Sequence, residues 1–192
     1  RKRTAQALET AVVDELPPLK LERARFIVMI DSDDKARHAA GFDKVEFWVE
    51  TNPGTKPGPM MKVASGGELS RFMLALKVCL ADRGSAPTLV FDEIDTGVGG
   101  AVADAIGQRL ARLADKVQVL AVTHAPQVAA RAGVHFLIAK DLAEAGHVAT
   151  SVTPLQNAPR LEEVARMLAG DSITKEARAA ARSLLERAKQ GG

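Results

Sequence analysis

Residues 65 to 71 read Ser-Gly-Gly-Glu-Leu-Ser-Arg, and a short way on the chain reads Thr88-Leu89-Val90-Phe91-Asp92-Glu93. Ser-x-x-Glu ahead of an apolar helix is a capping box, with Ser65 at the N-cap and Glu68 reaching back to its amide. Gly66 and Gly67 leave backbone N–H groups uncovered at the positive end of the helix dipole, where a phosphate can dock. A plain helix cap without ligand reads from the same residues. Arg71, one turn in, either adds a cation or pairs with Glu68. Asp92 and Glu93 end an apolar strand and point to opposite sides of it. At the carboxyl edge of a parallel sheet, one acid can hold a magnesium ion while the next aligns a water against a phosphoryl group. A solvated strand terminus is the alternative. His124 follows the next apolar strand, in Thr123-His124-Ala125-Pro126, which puts it on the same sheet edge as Asp92, able to bond a terminal phosphate. His38, His135 and His147 lack such a setting.

That set supplies half of the chemistry of triphosphate hydrolysis. The other half is Gly-x-x-x-x-Gly-Lys-Ser/Thr, the loop that cradles nucleotide phosphates, and no stretch of the chain carries it. Gly54-Thr55-Lys56 lacks the first glycine and the hydroxyl after the lysine. The chain reads as one part of a split nucleotide-binding head. It opens on Arg1 rather than methionine, and the expectation is of a segment that starts partway through a longer protein.

The elements that must position these residues follow from periodicity. Leu8, Val12 and Leu16 recur every four residues in a helix over 1–16, ended by Pro17-Pro18. A surface helix and the end of a coiled coil both fit it. Strands are expected over 24–30 and 44–50, the second with Val45, Phe47 and Val49 facing in and Trp48 on the polar face. Residues 51 to 62, with three prolines and two glycines, read as loop. From residue 63 the pattern turns α/β: helix 68–82, strand 88–92, helix 100–114, strand 117–123, helix 126–132, strand 134–139, strand 148–154, and helices 160–169 and 173–189. Near-continuous apolar runs such as Val117 to Val122 suit a parallel sheet covered on both faces.

Bulk properties narrow the class. With 192 residues, 46% of them hydrophobic and 26% charged, the chain is an ordinary globule, neither disordered nor a membrane span. A net charge of +2 does not by itself argue for nucleic acid. The single cysteine, Cys79, excludes a disulfide framework, fits a reducing cytoplasm, and reads as a small buried hydrophobe.

In this order and on this sheet edge, the set resembles the carboxyl-terminal lobe of an ABC-type ATPase head of the SMC-like proteins. Ser65–Arg71 matches the signature loop, Thr88–Glu93 the Walker B strand, Ile94–Gly100 the D-loop and His124 the switch histidine. Thr51-Asn52-Pro53-Gly54, the run Lys62 to Arg71, the run Phe91 to Gly100, Thr123 to Ala130 and Ala165-Arg166-Met167-Leu168-Ala169-Gly170 resemble segments of the RecN family, bacterial SMC-like proteins of double-strand-break repair. The resemblance covers about residues 8 to 187. It implies an α/β fold, the carboxyl-terminal lobe of an ABC/SMC-type head with a mostly parallel sheet flanked by helices, an N-terminal coiled-coil end and a β-hairpin, residues 1–20 being the coiled-coil end and 21–192 the lobe. It implies ATP and Mg²⁺ as ligands, with Ser65, Gly66, Gly67, Glu68 and Asp95 on the nucleotide, Asp92 on the metal, Glu93 as base and His124 at the γ-phosphate. The implied partners are the Walker A lobe of the same protein, a second head in a homodimer, and DNA, at the nucleoid of the cytoplasm and with no membrane. The D-loop of SMC and transporter heads usually ends in an acid where this chain has Gly99, which leaves that loop's contact across heads open. Another ABC-family or chromosome-associated SMC head, a transporter ATPase, and an interaction scaffold with a decayed site are the competing readings.

Overall fold

The computed structural model describes residues 1–33, 35, 39, 41–81, 86–142, 148–170 and 172–190. It divides into two compact units, Arg1–Val122 and Thr123–Gly192. His38 and His147 lie outside the described residues, as does Asp82, the expected end of the helix over 68–82.

The first unit opens with α1 (Lys2–Glu15), followed by a 3-10 turn at Pro17–Leu19. Val12 is fully buried, and so in effect are Leu16 and Leu19 behind it. α1 is therefore docked rather than loose. Glu9 accepts the Val28 amide at 2.7 Å, and Glu15 forms ion pairs with Arg109 (2.7 Å) and Arg112 (2.8 Å). β1 (Arg25–Ser32) and β2 (Asp43–Glu50) form an antiparallel hairpin, extended by the short β3 (Gly58–Pro59). The inward alternation expected for β2 holds only at its end: Val49 is buried, but Val45 is half exposed. Trp48 sits opposite Ile27 and Pro59, and its indole donates to Glu46.

Residues 51–62 are more ordered than a loop. β3 and α2 (Met60–Val63) occupy their second half. Gly58 is required there, because a Cβ would stand 2.5 Å from Val63 Cγ2. Buried Glu50 organises the first half, accepting the Gly54 amide at 3.0 Å and pairing with Arg25. α3 (Gly66–Cys79), β4 (Thr88–Phe91), α4 (Gly100–Ala114) and β5 (Gln118–Ala121) complete the unit. α3 and α4 bury Phe72, Leu74, Leu76, Ile106 and Leu113, the core on which the site is mounted. Cys79 is half-buried at the end of α3, and burial pushes its thiol up.

The second unit holds α5 (Pro126–Arg131), the antiparallel pair β6 (His135–Leu142) and β7 (Val148–Leu155), α6 (Asn157–Ala169) and α7 (Lys175–Gln190). Val164 and Ala165 pack on Ala177 and Ala181, flanked by Leu161, Ile173, Leu184 and Leu185. Small residues at the contact let α6 and α7 approach closely. Arg160 closes the end of α5, donating to the carbonyls of Ala129, Ala130 and Ala132.

The α/β alternation is as the sequence reads, but the parallel sheet is smaller. The described strands form three sheets, and only β4 and β5 pair in parallel. Nor are these two strands covered on both faces. Phe91 is buried on one face, while Val90, Leu120 and Val122 on the other are 66%, 48% and 61% exposed. Continuous apolarity marked strands built to be buried twice, and one of those burials is missing within the unit.

Candidate functional site

Ser65 stands at the N-cap of α3 with extended backbone, and the helix starts on Gly66. The Ser65 amide and hydroxyl both donate to Glu68 Oε2, at 3.0 and 2.7 Å. Those bonds, the hydroxyl first, hold the Glu68 carboxyl below its ordinary range. The reciprocal cap thus forms as its spacing requires, and it is exposed at Ser65 and Gly66. Open space surrounds the missing Cβ of Gly66. At Gly67 a Cβ would meet Arg71 Nη1 at 3.2 Å and the Thr96 carbonyl oxygen at 3.4 Å. The start of α3 and the loop after β4 are therefore neighbours, and glycine is what lets them close up.

That loop leaves β4 at Asp92. Asp92 and Glu93 are both exposed, at the carboxyl end of a parallel strand. Asp92 borders a groove between α3 and β4 lined by Leu69, Met73, Lys77 and Leu89. Glu93 has φ +53°, a left-handed conformation that a residue with a Cβ adopts at a cost of roughly 1–2 kcal/mol. Such strain gathers where a side chain must be aimed. Two successive turns follow, Thr96 N–H to the Glu93 carbonyl and Val98 N–H to that of Asp95, with Gly97 at φ +71°. Ile94 and Asp95, 0% and 2% exposed, anchor the loop below. Asp95, expected on the nucleotide, is thus buried in this unit. Gly99 caps α4, its carbonyl accepting from Val102 and Ala103.

The structure brings the signature-like loop and the two acids into one unit, whereas His124 belongs to the second. There His124 is exposed, just ahead of α5, beside a turn in which the Thr123 hydroxyl accepts the Ala125 amide. His135 is held below the usual imidazole range by burial and by Arg160. Two features escaped sequence reasoning: the left-handed Glu93, which no residue pattern encodes, and the burial of Arg71. The signal for the second was present, since residue 71 lies one helical turn above Gly67. Among the described residues, no group of three or more His, Cys, Asp or Glu side chains could hold a metal alone. A magnesium ion commonly takes one or two carboxylates and its remaining ligands from water and phosphate, and exposed Asp92 fits that partial role. No described helix is long and apolar enough to cross a membrane.

Comparison with known proteins supplies the class first. The fold is that of the SMC ATPase head. A structure titled for ATP-driven dimerisation and DNA-stimulated activation of SMC ATPases matches with TM-score 0.53 at 15% identity, over 88% of this chain and 96% of that one. The Smc head with coiled coil and joint from Pyrococcus yayanosii matches with TM-score 0.61 at 17% identity, over 85% of this chain and 29% of that one.

Sequence then narrows it. DNA repair protein RecN of Xylella fastidiosa is 43% identical over 97% of the chain, and RecN of Rickettsia bellii is 45% identical over 96%. RecN of Vibrio cholerae is 40% identical over 96%. The chain belongs to the RecN family, and it spans about a third of the length of those relatives, 33% in each case. No family model matches it.

Proposed function

We propose that this chain is the carboxyl-terminal lobe of an SMC-like ATPase head, coupling ATP binding and head pairing to repair of broken DNA. The observation that carries the reading is the pairing, in one unit, of an exposed glycine-started helix with two exposed acids at the end of a parallel strand. Residues 1–20 are the returning end of a coiled coil, and 21–192 the lobe. The missing half is a Walker A lobe from the same protein. The apolar face of β4 and β5, bare at Val90, Leu120 and Val122, supports the need for such a cover.

Each residue then has a task. Ser65 and the Gly66 and Gly67 amides receive the γ-phosphate of ATP held by a second head, at a helix start whose dipole favours anions. Engaging that phosphate requires the Ser65 hydroxyl to turn from Glu68, which keeps the amide in place meanwhile. Asp92 is the protein carboxylate for Mg²⁺, which when bound neutralises charge on the phosphates. Glu93, held by its left-handed backbone, takes a proton from the attacking water. His124 bonds the γ-phosphate in cis, and buried Asp95 fixes the loop carrying Glu93. With one phosphate grip and one base per molecule, hydrolysis needs two heads and opens them again. The protein works at the nucleoid in the cytoplasm, with DNA as its substrate surface.

Glu93→Gln in the complete protein tests this. The expected result is hydrolysis slowed about 100-fold or more with ATP-dependent dimers preserved. Hydrolysis at the normal rate would remove Glu93 from the role of base.

A further inference from the structure

Arg71 lies one turn into α3, with its guanidinium folded back so that Nη1 is 3.2 Å from where a Cβ on Gly67 would stand. Helical side chains lean toward the amino end, so residue 71 covers the ground above residue 67. The residue is 8% exposed, and Nε has no hydrogen-bond partner. Glu68 attracts it across space, but the Oε2 of that carboxylate takes the Ser65 amide and hydroxyl, and no hydrogen bond joins Glu68 to the guanidinium. A guanidinium keeps its proton at any ordinary pH, so burial cannot be relieved by neutralisation. The charge also sits at the end of a helix that is itself positive. Three unfavourable circumstances coincide: burial, a donor without partner, and a like-signed dipole. Buried charges persist where an opposite charge meets them, and among the described residues no carboxylate is hydrogen-bonded to this one.

We infer that Arg71 is a cationic contact for the anion received by the Ser65–Gly67 loop: the guanidinium beside Gly67 meets terminal phosphate oxygens of a nucleotide presented by a second head. The inference rests on the proposal that this loop engages nucleotide in trans. It assigns Gly67 a second task, since a Cβ there would crowd the guanidinium as well as the Thr96 carbonyl. Of the two readings the sequence leaves for Arg71, an added cation and a pair with Glu68, the inference takes the first. A charge-assisted bond to phosphate predicts roughly 10- to 100-fold in the affinity of the ATP-bound dimer.

The test uses full-length protein carrying Glu93→Gln, so that bound ATP survives, with and without Arg71→Met or Arg71→Lys. Sedimentation measures ATP-dependent dimerisation across salt concentrations, nucleotide titration measures ATP binding by the monomer, and calorimetry measures the unfolding temperature without nucleotide. Arg71→Met should weaken the dimer roughly 10- to 100-fold and flatten its salt dependence. Monomer ATP binding should not change, and the nucleotide-free unfolding temperature should stay or rise, because Met removes an unpartnered buried charge. Arg71→Lys should fall between. A Met variant that dimerises within about threefold of its parent, or one that unfolds earlier and is rescued by Lys, would show a merely structural cation. Absence of ATP-dependent dimers in the Glu93→Gln parent would instead overturn the trans reading itself, and this inference with it.

Discussion

Glu93 offers a way to separate what a residue does from what its backbone costs. Its φ of +53° puts a Cβ-bearing residue in the left-handed region, at a cost of roughly 1–2 kcal/mol. Glycine removes that cost but gives the unfolded chain more freedom, worth about 0.5–1 kcal/mol. The difference leaves Glu93→Gly more stable than Glu93→Ala by roughly 0.5–1 kcal/mol, or about 1–4 °C in unfolding temperature for a chain of this size. Glu93→Ala keeps the strain and should match the parent closely, since Glu93 is exposed. Both substitutions remove the carboxylate, so both should slow hydrolysis by the complete protein about 100-fold or more. The assay is paired: thermal unfolding of each variant, and steady-state phosphate release. A glycine variant no more stable than the alanine variant would refute the claim that strain is held at this position. A variant with undiminished hydrolysis would refute the reason offered for holding it.

Other expectations follow from single features. Ser65→Arg should abolish ATP-dependent head pairing while leaving ATP binding by the monomer intact, checked by sedimentation and nucleotide titration. Glu68→Ala breaks the reciprocal cap and should cost about 1 kcal/mol. Because the folded-state Glu68 carboxyl is held below its ordinary 4.5, the contribution is full above that pH and fades as pH falls through the lowered value. Acid unfolding curves of the parent and alanine variant should therefore converge. Phe72→Ala, at a fully buried position, should cost about 3–5 kcal/mol in denaturant unfolding. This chain alone should show no turnover, and turnover should return when the Walker A lobe is added. Leu120→Glu, on the bare strand face, should block that recovery while leaving the stability of the chain within about 0.5 kcal/mol.

Much of this was legible in the residues because it is local. Ser65 and Glu68 are three apart, so their cap is a property of one helical turn. α4, at Gly100–Ala114, falls where apolar periodicity puts it. Strand partners are not local in the same sense: apolar runs identified β4, β5 and β6, but not that β6 would pair antiparallel with β7. Exposure misled for a related reason. Val90 and Leu120 read as twice-buried because their sequence suits a larger sheet than the described strands form. α1 read as a surface helix or a coiled-coil end, yet Glu9 and Glu15 tie it down through a backbone amide and two arginines. Glu93 was legible as an acid and illegible as a left-handed residue, since neighbouring turns rather than its own type impose that backbone.

The decisive measurement mixes two defective full-length proteins, Ser65→Ala and Glu93→Gln, each slow in hydrolysis by itself. If each pocket takes its phosphate grip from one molecule and its base from the other, a mixed dimer carries one pocket with both parts intact. Random pairing at equal concentrations makes about half the dimers mixed, so hydrolysis should recover to about a quarter of the wild-type rate. If the mixture stays no faster than the average of its components, the Ser65 loop and the Glu93 carboxylate serve one molecule at a time, and the two-headed account is contradicted.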